Sequence, residues 1–137
     1  MKKTVFRPEG FLPRILIVDD DKAALALVEK ILHSDSCLVT SVETGQKALE
    51  LLKTAPAPYD LLIADAMMPE MDGYELVALV RTDAALLETP ILMLTRLRQR
   101  EDLKKALTAG ATDYVMKPID APLLKEKVRR LVGRRPA

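Results

Sequence analysis

Four short apolar runs in the chain each end in a polar residue that can bind phosphate or a divalent metal. These residues are Asp19 with Asp20 and Asp21, then Asp65, Thr95 and Lys117. Carboxylates are typical ligands of Mg²⁺, whereas a hydroxyl and an ammonium can donate to phosphoryl oxygens. An Asp carboxylate can also act as a nucleophile and form an aspartyl-phosphate. If the fold brings them together, these residues predict magnesium-dependent phosphoryl chemistry.

The elements that must position these residues alternate between strands and helices. Predicted strands cover 14–18, 37–42, 60–65, 90–95 and 112–117, and predicted helices cover about 21–33, 44–54, 72–83, 99–109 and 120–132. This alternation predicts an α/β fold whose parallel sheet is covered by helices on both faces. Continuously apolar runs such as 61–64 fit strands that are buried on both faces.

A strand order of 2-1-3-4-5 would make this a doubly wound five-stranded parallel sheet with five helices. The first strand would then lie beside the third at the switch point, where such folds bind ligands. That order gathers Asp19, Asp20 and Asp65, although the periodicity alone leaves the order open. The second strand is more mixed in sequence and is expected at an edge.

The composition fits one globular domain preceded by a short leader. The 137 residues divide into a leader (1–13), a domain (14–132) and a tail (133–137). Cys37 is the only cysteine and cannot form an internal disulfide, which favours a cytoplasmic location. No apolar run approaches the roughly 20 residues of a membrane span.

The charge balance excludes a strong overall attraction to nucleic acid or to a membrane surface. Lys and Arg total 21 against 20 acidic residues, which leaves a net charge of +1. The last third of the chain is nevertheless rich in Lys and Arg. Those residues could form solvated helix faces or a partner surface; direct nucleic-acid binding lacks a recognisable motif.

Each candidate residue taken alone also has a common structural explanation. Asp19, Asp20 and Asp21 could simply cap the first helix, and Asp21 is predicted to do so. Thr95 suits a strand end, and Lys117 suits a solvated position. Their joint placement at the ends of successive strands is what favours a shared site.

The motifs resemble the receiver domain of two-component response regulators. The resemblance rests on Val18-Asp19-Asp20-Asp21, Asp65 with Pro69 and Asp72-Gly73, Thr95, and Tyr114-Val115-Met116-Lys117-Pro118. It covers about residues 14–132 and implies a flavodoxin-like fold. It also implies a phosphorylation-dependent signalling switch, in which a sensor histidine kinase or a histidine phosphotransfer protein donates the phosphoryl group of a phosphohistidine to Asp65.

The resemblance implies a role for each residue of the site. Asp20 and Asp65 would bind Mg²⁺ directly together with the backbone carbonyl of Met67, while Asp19 would act mainly through water. The catalytic residues Thr95 and Lys117 would hold the phosphoryl oxygens beside Asp65.

The resemblance also implies a switch and an output surface. Thr95 and Tyr114 would form the switch, and Lys117-Pro118 would be a cis peptide. The output would be a downstream domain or protein, with homodimerisation through the fourth helix, fifth strand and fifth helix as a further option. The domain would catalyse its own phosphorylation and dephosphorylation rather than turn over external substrates, and it would bind neither nucleic acid directly nor a membrane.

Two residues depart from the usual family pattern. Arg96, directly after Thr95, stands where the family generally has a small residue, and the Met67 side chain cannot orient an attacking water. We hypothesise that both set the phosphoryl lifetime, which the dephosphorylation rates of Met67→Asn and Arg96→Ala would test.

Two alternative functions remain open at this point. The Asp-x-Asp frame of Asp19 to Asp21 would also suit a Mg²⁺-dependent phosphohydrolase of the haloacid dehalogenase type, but only 20 residues follow Lys117, with no later acidic motif among them. A degenerate receiver that acts only as a binding module is the other alternative, which the intact acidic set argues against.

Overall fold

The computed structural model describes residues 4–6, 12–33, 35–96 and 100–136, along which strands and helices alternate. The strands are β1 (Thr4–Phe6), β2 (Arg14–Val18), β3 (Leu38–Val42), β4 (Leu61–Asp65), β5 (Ile91–Thr95), β6 (Asp113–Met116) and β7 (Arg134–Pro136). The α-helices are α1 (Lys22–His33), α2 (Gly45–Thr54), α3 (Gly73–Val80), α4 (Arg100–Ala109) and α5 (Ala121–Gly133). Within these ranges, no helix has the length and apolar character needed to cross a bilayer.

Five strands form one parallel sheet in the order β3-β2-β4-β5-β6, which confirms the predicted order 2-1-3-4-5. In this sheet Leu16 lies opposite Leu62, and Ala64 lies opposite Met93. β3 lies at an edge, as its mixed sequence predicts, and is more exposed than the fully buried β4. Because all five strands are parallel, their carboxyl ends meet at one edge.

Helices cover both faces of this sheet. Successive side chains of a strand point to opposite sides, so each strand contributes apolar side chains to both faces. Ile15 and Ile17 of β2 belong to a core cluster with residues of α1 and α5. Leu16 and Val18 belong to the other cluster, with residues of α2, α3 and α4. Both faces are thus buried, which explains the continuous apolar runs.

The ends of the chain differ from the leader and tail expected from the sequence. β1 and β7 pair antiparallel as a separate two-stranded sheet, with Val5 opposite Arg135. Local sequence patterns do not predict pairing between the two ends of a chain, so this small sheet has no signal in the sequence. Residues 1–3, 7–11 and 137 of the predicted leader and tail, and residue 99 of the fourth predicted helix, lie outside the described residues.

α3 ends at Val80, before the predicted end at residue 83, because Asp83 starts a new turn. The Asp83 carboxylate accepts the backbone N–H of Ala85 at 2.9 Å. Such a local side-chain bond competes with continuation of the helix. A short 3₁₀ helix, Ala84–Leu86, follows instead.

The first turn of α3 packs directly on the end of β4. Asp72 caps the helix, since its carboxylate accepts the N–H of Glu75 at 2.8 Å. The N–H of Gly73 donates to the carbonyl of Ala66 at 2.9 Å. A Cβ on Gly73 would lie 2.3 Å from the carbonyl oxygen of Asp65 and 2.9 Å from Cα of Ala66. The absence of a side chain at Gly73 therefore lets α3 fix the backbone that carries Asp65.

We predict that Gly73→Ala lowers the free energy of unfolding by about 1–3 kcal/mol, because the added Cβ displaces the backbone at Asp65. Urea denaturation followed by circular dichroism measures the change. Gly133→Ala is the matched control, since no atom lies within 4 Å of a Cβ built at that helical position. Equal losses of stability in the two variants would contradict the close approach of α3 to β4.

Candidate functional site

The carboxyl edge of the sheet brings together the polar residues predicted from the sequence. Asp19 directly follows β2, Asp65 ends β4, Thr95 ends β5 and Lys117 directly follows β6. Backbone hydrogen bonds extend the strand pairing to these positions: the N–H of Lys117 donates to the carbonyl of Thr95 at 2.7 Å, and that of Asp19 donates to Val42 at 3.2 Å. The sheet itself therefore sets the spacing of the site.

The ammonium of Lys117 binds two carboxylates at once. Its Nζ lies 2.8 Å from Oδ1 of Asp65 and 3.1 Å from Oδ2 of Asp19. Only 12% of the Lys117 side chain and 2% of the Asp19 side chain are exposed, so water screens these ion pairs weakly. The contact brings residues that are far apart in sequence together at this edge of the sheet.

The three acidic residues after β2 differ in their hydrogen bonds and in their exposure to solvent. The Asp19 carboxylate accepts the N–H of Asp21 through Oδ1 at 3.0 Å. The Asp21 carboxylate accepts the N–H of Ala23 at 2.9 Å, which confirms its predicted role as a cap of α1. Asp20 lies between them and is exposed to solvent.

Three of the carboxylates fit a divalent cation. Asp19, Asp20 and Asp65 each offer an oxygen, and these oxygens lie within 4.8 Å of one another. Two oxygen ligands at about 2.1 Å from one Mg²⁺ lie at most about 4.2 Å apart, so this spacing suits an ion that some carboxylates bind directly and another binds through water. Hard carboxylate oxygens are also the ligands that Mg²⁺ prefers. The donor set thus matches the predicted cofactor.

Burial and mutual repulsion raise the pKa of the Asp65 carboxyl above its ordinary value. Burial is the largest cause; the hydrogen bond from Lys117 opposes it, and the nearby charge of Asp19 adds to it. For Lys117, burial alone lowers the pKa, but its hydrogen bonds to Asp65 and Asp19 outweigh this and raise the pKa overall. Asp65 therefore carries an electrostatic cost in its charged form that a bound cation would relieve.

Two cavities adjoin at this edge of the sheet. The first, of about 420 Å³, is lined by the carboxylates of Asp19, Asp20, Asp21 and Asp65 and by Ala66, Met67, Arg96 and Lys117. The second, of about 440 Å³, is mostly apolar and is lined by Ala23, Ala24, Leu27, Pro118 and Ile119 with Asp21, Arg96 and Lys117. Met67, which lines the first cavity, is 63% exposed.

The two predicted switch residues lie on neighbouring strands. Thr95 is 2% exposed at the end of β5, while Tyr114 is half-buried near the start of β6. The Tyr114 ring packs against the cluster that includes residues of α2, α3 and α4. The peptide bond between Lys117 and Pro118 is cis, as the resemblance implies.

Lys127 on α5 is a contact of this region that the sequence analysis missed. Its Nζ lies 5.0 Å from the centre of the Tyr114 ring, donates to the Tyr114 carbonyl at 2.8 Å and pairs with Asp113 at 3.1 Å. Arg130 also pairs with Asp113 at 3.1 Å. A basic helix gives no local signal of which of its lysines turns towards a strand, so only the structure identifies Lys127.

Comparison with known proteins identifies a family. Residues 15–129 match the family model of the response regulator receiver domain. The two-component response regulator ARR12 of Arabidopsis thaliana is 37% identical over 122 residues, which are 89% of this chain and 20% of that protein. The two-component response regulator ORR5 of Oryza sativa subsp. japonica is 36% identical over 110 residues, which are 80% of this chain and 81% of that protein. This chain thus spans about a fifth of ARR12 and most of ORR5.

A solved structure has the same fold. Vibrio cholerae chemotaxis protein CheY4, crystallised at low pH, matches with a TM-score of 0.81 at 30% sequence identity. The match covers 88% of this chain and 99% of that chain. The fold comparison therefore agrees with the family found from the sequence.

We predict that Asp65→Asn stabilises the metal-free protein and that the gain grows with pH. The pKa of Asp65 in the folded protein lies above the 3.8 of a free carboxyl. Below pH 3.8 the carboxyl is protonated in both the folded and the unfolded protein, so Asp65 does not lower the free energy of unfolding there. As pH rises through the folded pKa, ionisation of Asp65 lowers the free energy of unfolding. Asn carries no charge, so the variant escapes this loss. Melting temperatures of the native chain and of Asp65→Asn, recorded in EDTA from acidic to neutral pH, measure the gain. A difference between the two proteins that does not change with pH would contradict the raised pKa of Asp65.

Mg²⁺ should raise the melting temperature, because it binds the carboxylate cluster only in the folded protein. The expected gain in the free energy of unfolding is about 2.7 kcal/mol at a Mg²⁺ concentration 100 times the Kd. In the double variant Asp20→Asn with Asp65→Asn, most of this gain should disappear. Calorimetry measures the melting temperatures, and KCl at matched ionic strength is the control. If Mg²⁺ stabilised the double variant as much as the native chain, the ion would bind elsewhere.

Proposed function

The chain belongs to the response regulator receiver domain family, and from this premise we propose that Asp65 accepts the phosphoryl group. The observation that supports Asp65 most directly is the contact of its Oδ1 with Lys117 at 2.8 Å, since both residues line the acidic cavity. The Asp65 carboxylate attacks the phosphorus of a phosphohistidine, and the phosphorus–nitrogen bond breaks. The electron pair returns to the imidazole, which leaves as neutral histidine when its other ring nitrogen carries a proton.

The residues around Asp65 position and neutralise the transferred group. Phosphoryl transfer requires mainly positioning and charge neutralisation. We assign Lys117 to a phosphoryl oxygen, because its ammonium already lies beside the acceptor carboxylate. Thr95 is assigned to another oxygen, because it lies at the end of the neighbouring strand.

Mg²⁺ is part of this proposal. Asp20 and Asp65 would hold it with the backbone carbonyl of Met67, and Asp19 would contribute through water, in keeping with the carboxylate oxygens described above. When bound, the ion would neutralise negative charge on the carboxylates and on the phosphoryl group. The proposed roles of Met67 and Arg96 in setting the phosphoryl lifetime stay predictions.

The output of the switch is a change of surface rather than a released product. Phosphorylation would shift an existing equilibrium in which Thr95 and Tyr114 change position. The donor would be a sensor histidine kinase or a histidine phosphotransfer protein, and the recipient a downstream domain or protein. Dimerisation through α4, β6 and α5 and a cytoplasmic location belong to the same proposal.

The alternative functions receive less support. The match to the receiver family over residues 15–129 does not favour a haloacid dehalogenase-type phosphohydrolase. A degenerate receiver is disfavoured because Asp65 and Lys117 are present and in contact. Both alternatives make different predictions in the following experiment.

Incubation with acetyl phosphate and Mg²⁺ should add one phosphoryl group to the native chain, as intact mass spectrometry would detect. Asp65→Asn should remove the adduct, because its side chain is not a nucleophile. Asp113→Asn, which changes a carboxylate of β6 that pairs with α5, is the matched control and should keep the adduct. An adduct that survives Asp65→Asn would refute the acceptor assignment, and steady release of phosphate without an adduct would favour the phosphohydrolase.

A further inference from the structure

Arg96 is a second cation beside the proposed acceptor. It directly follows Thr95 at the end of β5 and is exposed to solvent. Arg96 lines the acidic cavity together with Asp65 and also lines the adjoining apolar cavity. It therefore lies where a molecule entering towards Asp65 would pass.

The charges of the acidic cavity give Arg96 a different task from that of Lys117. Four carboxylates and two cations line the cavity. Lys117 is largely buried and its ammonium already contacts both Asp65 and Asp19. Arg96 is exposed, and the planar set of donors of a guanidinium suits a phosphoryl group, which it can bind through two oxygens.

We propose that Arg96 is a donor-recognition residue whose guanidinium binds the phosphoryl dianion as it is delivered to Asp65. The inference rests on the proposed function and deepens it by assigning a residue that selects anionic phosphodonors. Acetyl phosphate is the simplest donor of this class. Its phosphorus–oxygen bond breaks, the electron pair leaves with acetate, and the new bond forms to a carboxylate oxygen of Asp65.

A cation at this position has opposite effects on the two ligands of the cavity. It attracts the phosphoryl dianion, whereas it repels Mg²⁺, which binds the same group of carboxylates. Removal of the charge should therefore weaken binding of the phosphoryl group and strengthen binding of Mg²⁺. A purely structural loss would weaken both, so the pair of measurements separates recognition from general damage.

The test compares Arg96→Ala, Arg96→Gln and Arg96→Lys with the native chain. At saturating Mg²⁺, the Arg96→Ala and Arg96→Gln variants should have a KM for acetyl phosphate about three- to tenfold above that of the native chain, with a smaller change in the saturating rate. The effect is limited because an exposed charged contact is of modest strength. Lys should restore part of the loss. In titrations without donor, Ala and Gln should lower the Kd for Mg²⁺ about two- to fivefold.

Lys53→Ala is the matched control for loss of one positive charge. Lys53 is exposed in the last turn of α2, at the opposite edge of the sheet from the site, and should leave both constants unchanged. Raised salt should reduce the difference between the native chain and Arg96→Gln, since salt screens exposed charges.

The outcomes separate this inference from the proposed function. If the native chain forms no adduct on Asp65, the proposed function fails. If the native chain is phosphorylated but Arg96→Gln has the native KM, the assignment of Arg96 is overturned while the acceptor stands. A parallel weakening of Mg²⁺ and donor binding in Arg96→Gln would also overturn it, because that result indicates structural damage. Opposite shifts of the two constants, with partial rescue by Arg96→Lys, are the supporting result.

Discussion

One ammonium shared between two buried carboxylates holds the site together. Lys117 follows β6, and its Nζ contacts Asp65 on β4 and Asp19 after β2. In the sheet order, this side chain spans the end of β5 and links the carboxyl ends of three other strands. Without a cation, the two carboxylates would repel each other in surroundings that screen charge weakly. Burial is the largest reason that the pKa of the Asp65 carboxyl is raised, with the charge of Asp19 adding to it against Lys117, and a further cation would favour the charged carboxylate.

The precision of that contact depends on the sheet. The N–H of Ala66 donates to the carbonyl of Leu94 at 2.8 Å, so strand pairing continues past Asp65. β4 is buried throughout and packs between core clusters on its two faces, which leaves little freedom to shift its register. Gly73 adds a backbone contact from α3 at the same point. The proposed acceptor is thus carried by a fully buried strand, which suits a group that must meet its reaction partner in one geometry.

The fold could be predicted from the sequence because its signals are local. Alternating apolar strands and amphipathic helices identify a doubly wound sheet, and polar residues after the strands identify one edge as the site. Contacts between distant side chains have no such signal. Arg81, whose guanidinium donates to the carbonyls of Thr89 and Gly110 at 2.7 and 2.9 Å, was not predicted for this reason. The pairing of β1 with β7 was missed for the same reason, since it depends on where the fold brings the two ends of the chain.

The register of β5 and β6 supports the proposed link between phosphorylation and the surface. Met93 lies opposite Tyr114, and Thr95 follows Met93 on the same face of β5, because side chains alternate along a strand. The core cluster that contains Met93 is also the one against which Tyr114 packs. A movement of Thr95 towards a phosphoryl group on Asp65 would therefore change the space next to the Tyr114 ring. Lys127 holds the backbone carbonyl of Tyr114 and also lies 5.0 Å from the centre of the Tyr114 ring, so the proposed movement of the ring would alter its contact with Lys127 while the carbonyl stays bound to α5. In the proposed switch the backbone of β6 therefore stays in place, and only the side-chain contacts of Tyr114 change.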